Sequence, residues 1–206
     1  MRYNPEILTV LAQDPNSMSP SNEQTKAIWN YLFNQHAVTE LWSVKGGQID
    51  SQQVRHVDTD LALVYHPINV QGSKPFPVIL LDTFKPRRPP HGLNPLAVDF
   101  SSQDVTEFAA KSARYLSSDA DFFNLQRMWG VSAMGRKFKL WRWDREEFAC
   151  LPYTDGLDGD GRWLDVINEA EVIERFVDEA MNHADILVSA LHVDDGWKAL
   201  MRFLEG

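Results

Sequence analysis

The chain has 206 residues, of which 44% are apolar and 24% charged, the balance of an ordinary globular protein with length for one substantial core. Lys and Arg number 20 against 29 Asp and Glu, and the formal charge of −9 opposes loose, sequence-blind binding to nucleic acid, which depends on cations displacing counterions along the phosphates. A single cysteine, Cys150, excludes an internal disulfide and any multi-cysteine metal site, and reads as a small core residue.

Apolar runs of about five residues fall far short of the roughly 20 that a membrane helix needs. The start, Asn4-Pro5-Glu6, lacks the basic and apolar stretches of a secretory signal, so no membrane partner and an intracellular location, cytoplasmic or nuclear, are expected.

Along the chain, a short helix precedes the Pro-, Asn- and Ser-rich segment from Asp14 to Ser21, which reads as a loop. Ser21 and Gln24 form a capping box for a longer helix carrying Ile28, Tyr31, Leu32 and Gln35 at helical spacing. A second short helical stretch is expected to hold Val38, Leu41 and Trp42 and to end at Gly46 and Gly47. β-Branched and apolar residues then rise from Gln53 to Tyr65 and, between prolines, from Phe76 to Phe84, which predicts two strands of a hairpin.

After Lys85, the prolines at 86, 89, 90 and 95 exclude a helix. Ser101 and Asp104 open one whose apolar residues, Val105, Phe108, Ala109, Ser112, Ala113 and Leu116, recur every three or four positions. Gln126 to Ser132 and Lys137 to Trp143 read as strands joined by a turn from Ala133 to Arg136. On the second strand Phe138 and Leu140 fall on one face and Lys139, Trp141 and Trp143 on the other, so both faces of the sheet should be covered by helices. Asn168 and Glu171 cap a further helix, striped by Val172, Ile173, Phe176, Val177, Ala180 and Met181, and the tail through Trp197 and Leu204 is expected to be helical. The predicted class is α/β (α+β): a central mixed β-sheet flanked by helices, one domain over residues 1–206, with its core at about 53–144.

Over Gln53 to Asp144, the order of hairpin, strand with a terminal lysine, helix, strand, turn and strand resembles the core of the PD-(D/E)XK nucleases, the restriction-endonuclease-like fold. Ala113-Arg114-Tyr115, Trp129-Gly130-Val131 and the segment from Phe138 to Asp144 are similar to nuclease-like domains that precede kinase-like domains in fungal proteins. The resemblance implies two carboxylates holding Mg²⁺ to polarise a phosphodiester and activate water, beside a charge-stabilising lysine. It assigns Asp60 as the first acid, Lys85 as the lysine, Asp82 as the nearest candidate for the second acid, Glu40 as a further metal ligand, and Lys111 as the helix's basic residue.

The motif needs its second acid two residues before the lysine, because only that spacing puts both side chains on one face of a strand. Thr83 stands there, and Asp82, one residue further back, points to the other face unless a β-bulge at Thr83 or Phe84 resets the alternation. A threonine hydroxyl supplies none of the charge that a Mg²⁺ site requires. The favoured expectation is therefore a pseudoenzyme without a cofactor that binds a protein or nucleic-acid partner. The alternatives are a Mg²⁺-dependent DNA or RNA nuclease using Asp60, Asp82 and Lys85, and an assembly protein with an exposed aromatic surface.

Lys85, Arg87, Arg88, Lys111 and Arg136, with Lys137, Lys139, Arg142 and Arg145, are the candidates for a nucleic-acid patch, against a plain solvated surface. Trp129, Trp141 and Trp143 suggest either core or a base-stacking platform. His56, Asp58 and Asp60 alternate as metal ligands on one strand face would, or as the polar side of an edge hairpin does. Asp158, Asp160 and Glu169 fit three positions of a calcium loop, but Trp163 stands where its glycine belongs.

Overall fold

Two runs of β-branched and aliphatic residues pair as expected: β2 (Val57–Tyr65) and β3 (Phe76–Thr83) form an antiparallel ladder from Leu61↔Leu81 to Tyr65↔Phe76. The computed structural model describes residues 2–12, 22–49, 57–67, 75–83, 106–108, 110–111, 127–153 and 163–184. Before the hairpin come α1 (Pro5–Ala12), α2 (Asn22–His36) and β1 (Trp42–Ile49). After it come helical residues 106–108 and 110–111 (α3), β4 (Arg127–Met134), β5 (Lys137–Asp144), β6 (Ala149–Pro152), β7 (Leu164–Asp165) and a helix at 170–184 (α4). The proline-rich loop after Lys85, residues 112–116 of the predicted helix, the calcium-loop acids Asp158 and Asp160, and the tail lie outside the described residues.

The seven strands among the described residues form one mixed sheet in the order β1-β2-β3-β4-β5-β6, with β7 also on β5. Among the described strands only β3 and β4 run parallel, and such a pair needs a crossover connection, on which α3 lies. None of the described helices is long and apolar enough to cross a membrane.

The sheet has a distinct layer on each side. Phe138 of β5 meets Trp29 of α2 edge-on at 5.5 Å, and Trp129 of β4 meets His183 of α4 at 5.1 Å, so α2 and α4 share one face. Gly130, on the other face, lies under Phe108 of α3: a Cβ there would sit 2.1 Å from the ring, so the close approach requires glycine. Trp141 and Trp143 share this α3 face with Gly130 and are 1% and 4% exposed, so they are core and not a stacking platform. The β4–β5 turn is only Gly135-Arg136, shorter than expected, with Gly135 at φ 57° in the first position, as a type II′ turn requires.

Two expectations are corrected. The segment from Trp42 through Gly46 and Gly47 is a strand rather than the end of a helix, because pairing with β2 outweighs weak local propensity. Gln24 donates from its side-chain amide to the Leu11 carbonyl at 3.1 Å and thereby ties α2 to the end of α1; its capping partner Ser21 is outside the described residues. At α4 the Glu169 carbonyl accepts the first helical bonds, from Val172 and Ile173, so the helix is capped one residue later than the Asn168 expected.

A polar cluster around the buried Tyr3 and His36 fastens the N-terminal segment to α2 and α4. Arg2 Nη1 lies 2.6 Å from His36 Nδ1 and donates to Asp178 Oδ1 at 2.8 Å. A guanidinium has only donors, so Nδ1 accepts and the ring proton sits on Nε2, which faces the Tyr3 hydroxyl. Burial, then the Arg2 charge, hold the His36 imidazole below its ordinary range, and burial raises the Tyr3 phenol.

Candidate functional site

Asp60 and Asp82 sit near one end of the sheet, on neighbouring strands, and their carboxylates go to opposite faces. Asp82 pairs with Ser132 in the parallel ladder, and Ser132 shares the face of Gly130 and Trp141, whose Nε1 donates to Ser132 Oγ at 2.8 Å. Asp82 therefore points to α3, where Lys111 donates to its Oδ1 at 2.6 Å. Lys111 follows Phe108 by three residues, so the helical turn that seats the phenyl ring on Gly130 also brings the lysine over Asp82.

Asp60 would have faced the same way in a regular strand. The register between β1 and β2 shifts from Lys45↔Ala62 to Gly47↔Thr59, which leaves Asp60 and Leu61 together opposite the single Gly46. This is a β-bulge, and it turns Asp60 towards the α2 face. Gly46 makes room for it, since a Cβ there would lie 3.2 Å from the Asp60 carbonyl oxygen. The Thr59 hydroxyl spans the irregularity, 2.7 Å from the Leu81 carbonyl and 3.0 Å from that of Leu61.

On the α2 face Asp60 Oδ2 accepts from the Thr83 N–H at 2.7 Å and from the Thr83 hydroxyl at 2.6 Å, while Oδ1 meets Lys26 of α2 at 3.0 Å. A bulge does govern the acid geometry here, but on β2 rather than at Thr83, whose pairing with Ala133 continues the regular ladder from Asp82↔Ser132.

The two carboxyls are tuned oppositely. Burial pushes Asp60 up, but the two Thr83 hydrogen bonds and Lys26 outweigh it and hold the group below its ordinary range. For Asp82 burial prevails over Lys111, and the carboxyl rises.

The other predicted site residues are dispersed. Glu40 is exposed in the turn before β1, whose first residue Trp42 pairs with Tyr65. Tyr65 lies five residues along β2 from Asp60, about 16 Å at strand rise, so Glu40 is not brought to the acids. Lys85, Arg87, Arg88, His56 and the Asp58 side chain lie outside the described residues. Arg136 donates to Asp165 Oδ1 at 2.9 Å, and Lys137 lies 3.3 Å from Oδ2 of the same acid. Lys139 is buried, its ammonium 5.3 Å from the Trp163 ring centre. Among the described residues no three His, Cys, Asp or Glu side chains form a group able to hold a metal ion.

Lys26 was not foreseen as a partner of Asp60. Its one local cue is its place beside the buried stripe of Thr25, Ile28, Trp29 and Leu32, which puts it at the rim of the packed face. Cys150 packs against the core, and burial pushes its thiol up to about 12, which makes it inert at neutral pH.

Fold and site together define an α+β chain with a mixed sheet whose two neighbouring acids are paired with helix lysines on opposite faces. No known protein family, curated protein or solved structure matches the chain.

Proposed function

We propose that the sheet is a restriction-endonuclease-like scaffold in which two acid–lysine pairs stand where a metal site would be, and that the chain acts by binding a protein partner. The order of hairpin, parallel crossover and returning antiparallel strand supports the scaffold. The observation that carries the rest is the divergence of Asp60 and Asp82, each held by a lysine from a different helix. A divalent ion would have to displace a lysine on each side and draw together carboxylates from two faces of a sheet.

A protein partner is favoured over nucleic acid because four of the six described basic candidates are already engaged or buried. Lys111 serves Asp82, Arg136 and Lys137 serve Asp165, and Lys139 is inside. A phosphate contact through Lys111, Arg136 or Lys137 would compete with an existing carboxylate, in a chain whose charge is −9.

Calorimetry with Mg²⁺ and Mn²⁺, and incubation with single- and double-stranded DNA and RNA, test the reading. No heat at about 1 mM metal, no cleavage and no salt-dependent complex are expected. Metal-dependent cutting that disappears in Asp60→Ala and in Asp82→Ala would reinstate a nuclease.

A further inference from the structure

On the α4 face, a cavity of about 530 Å³ opens between the start of β4, Tyr153 beyond β6, and one side of α4. Its wall includes Arg127, Trp129, Tyr153, Asp178, Glu179 and His183. The size suits a small organic molecule. Trp129 is 1% exposed, and its indole Nε1 is buried with no hydrogen-bond partner among the described residues. The same holds for Nε2 of His183, whose ring contacts Trp129, and for Nε of Arg142, the cross-strand neighbour of Trp129.

Native proteins rarely leave buried polar atoms unpaired, and the Trp129 indole N–H, an obligate donor on a residue of the cavity wall, calls for an acceptor. The acids in the wall already accept from other groups: Asp178 from Arg2 at 2.8 Å, and Glu179 from the Tyr153 hydroxyl at 2.9 Å. Arg127 spends its Nε on Asp144 at 3.2 Å. Burial, then the Arg127 charge, keep the His183 imidazole below its ordinary range, so at neutral pH the ring adds no charge of its own.

We propose that this cavity binds a small organic carboxylate with an apolar body, the carboxylate accepting from the Trp129 indole N–H and the Arg127 guanidinium, and the body resting on the Trp129 and Tyr153 rings. A guanidinium beside an indole donor matches the planar fork of a carboxylate, and the aromatic walls supply contact area that a bare inorganic ion would not use. The site is separate from both acid–lysine pairs and holds whether or not the chain binds a protein partner.

The test uses the full chain labelled with ¹⁵N, in which Trp129→Phe identifies the Trp129 indole resonance by its disappearance. Benzoate is expected to move that resonance with saturation at about millimolar concentration, while inorganic phosphate leaves it in place. Binding, followed by calorimetry, is expected to weaken roughly tenfold in Trp129→Phe, which keeps an aromatic ring without the donor, and to weaken also in Arg127→Lys. No shift with benzoate, an equal response to phosphate, or unchanged affinity in both variants would overturn the assignment.

Discussion

Two acid–lysine pairs, a strand apart, solve the problem of a carboxylate near a sheet in different ways. Asp60–Lys26 sits at the rim, with side chains 26% and 31% exposed, and the Asp60 carboxylate has Thr83 as a second source of hydrogen bonds. Asp82–Lys111 is further in, the Asp82 side chain 15% exposed, and among the described residues Lys111 is the one hydrogen-bond donor to that carboxylate. The contrast predicts a lysine that is dispensable on one face and needed on the other. A buried charge without its partner is costly, whereas a half-exposed one is solvated.

Removing the inner lysine should break that contrast most sharply. Lys111→Met leaves Asp82 buried beside an apolar chain and is expected to destabilise the fold by about 3 kcal/mol in urea unfolding, with most of the loss recovered when Asp82→Asn is added. An outcome equal to the loss in Lys26→Met would refute the asymmetry. Gly130→Ala tests whether α3 docking sets the inner pair. The added methyl would collide with Phe108, and a loss of about 2 kcal/mol, within the usual range for overpacking, is expected. Hydrogen exchange at Lys111 should rise with it.

On the outer face, Lys26→Met should cost under about 1 kcal/mol, because Thr83 still holds Asp60. Thr83→Val removes the hydroxyl but not the N–H, and the Asp60 titration, followed by carboxyl NMR, should move up towards its ordinary position.

The smallest effects are in the pH dependence, and their signs differ. Asp60 is lowered, so its stabilisation is present above the unfolded value of 3.8 and is lost as pH falls through its folded pKa; Asp60→Asn should flatten that acid limb. Asp82 is raised, so the folded chain takes up its proton first. Acidification from its folded value down to 3.8 should relieve part of the cost of burying the charge, a gain that Asp82→Asn removes. His36 is lowered from 6.5, so below that pH the unfolded chain gains a proton that the folded one does not, and stability should fall on acidification until His36→Gln abolishes the effect.

Much of the fold was legible because it is written in local periodicity. The runs Leu61 to Tyr65 and Val78 to Leu81 carry strand composition, and Phe108, Ile173, Phe176 and Val177 carry helical spacing, so each element could be read from its own residues. The double-faced apolar pattern on β5 likewise foretold helices on both sides. β1 was illegible: Gly46 and Gly47 read as a helix stop, and only pairing with β2 makes them a strand.

Sequence by itself determined the strand alternation that sets Thr83 and Asp82 on opposite faces, because side-chain parity on an extended backbone follows from covalent geometry. What it could not decide is where Asp60 points. That direction depends on one residue of slippage between β1 and β2, on a glycine that leaves room for the bulge, and on Lys26, 34 positions away in the chain, and all three come from contacts made when the strands and α2 assemble.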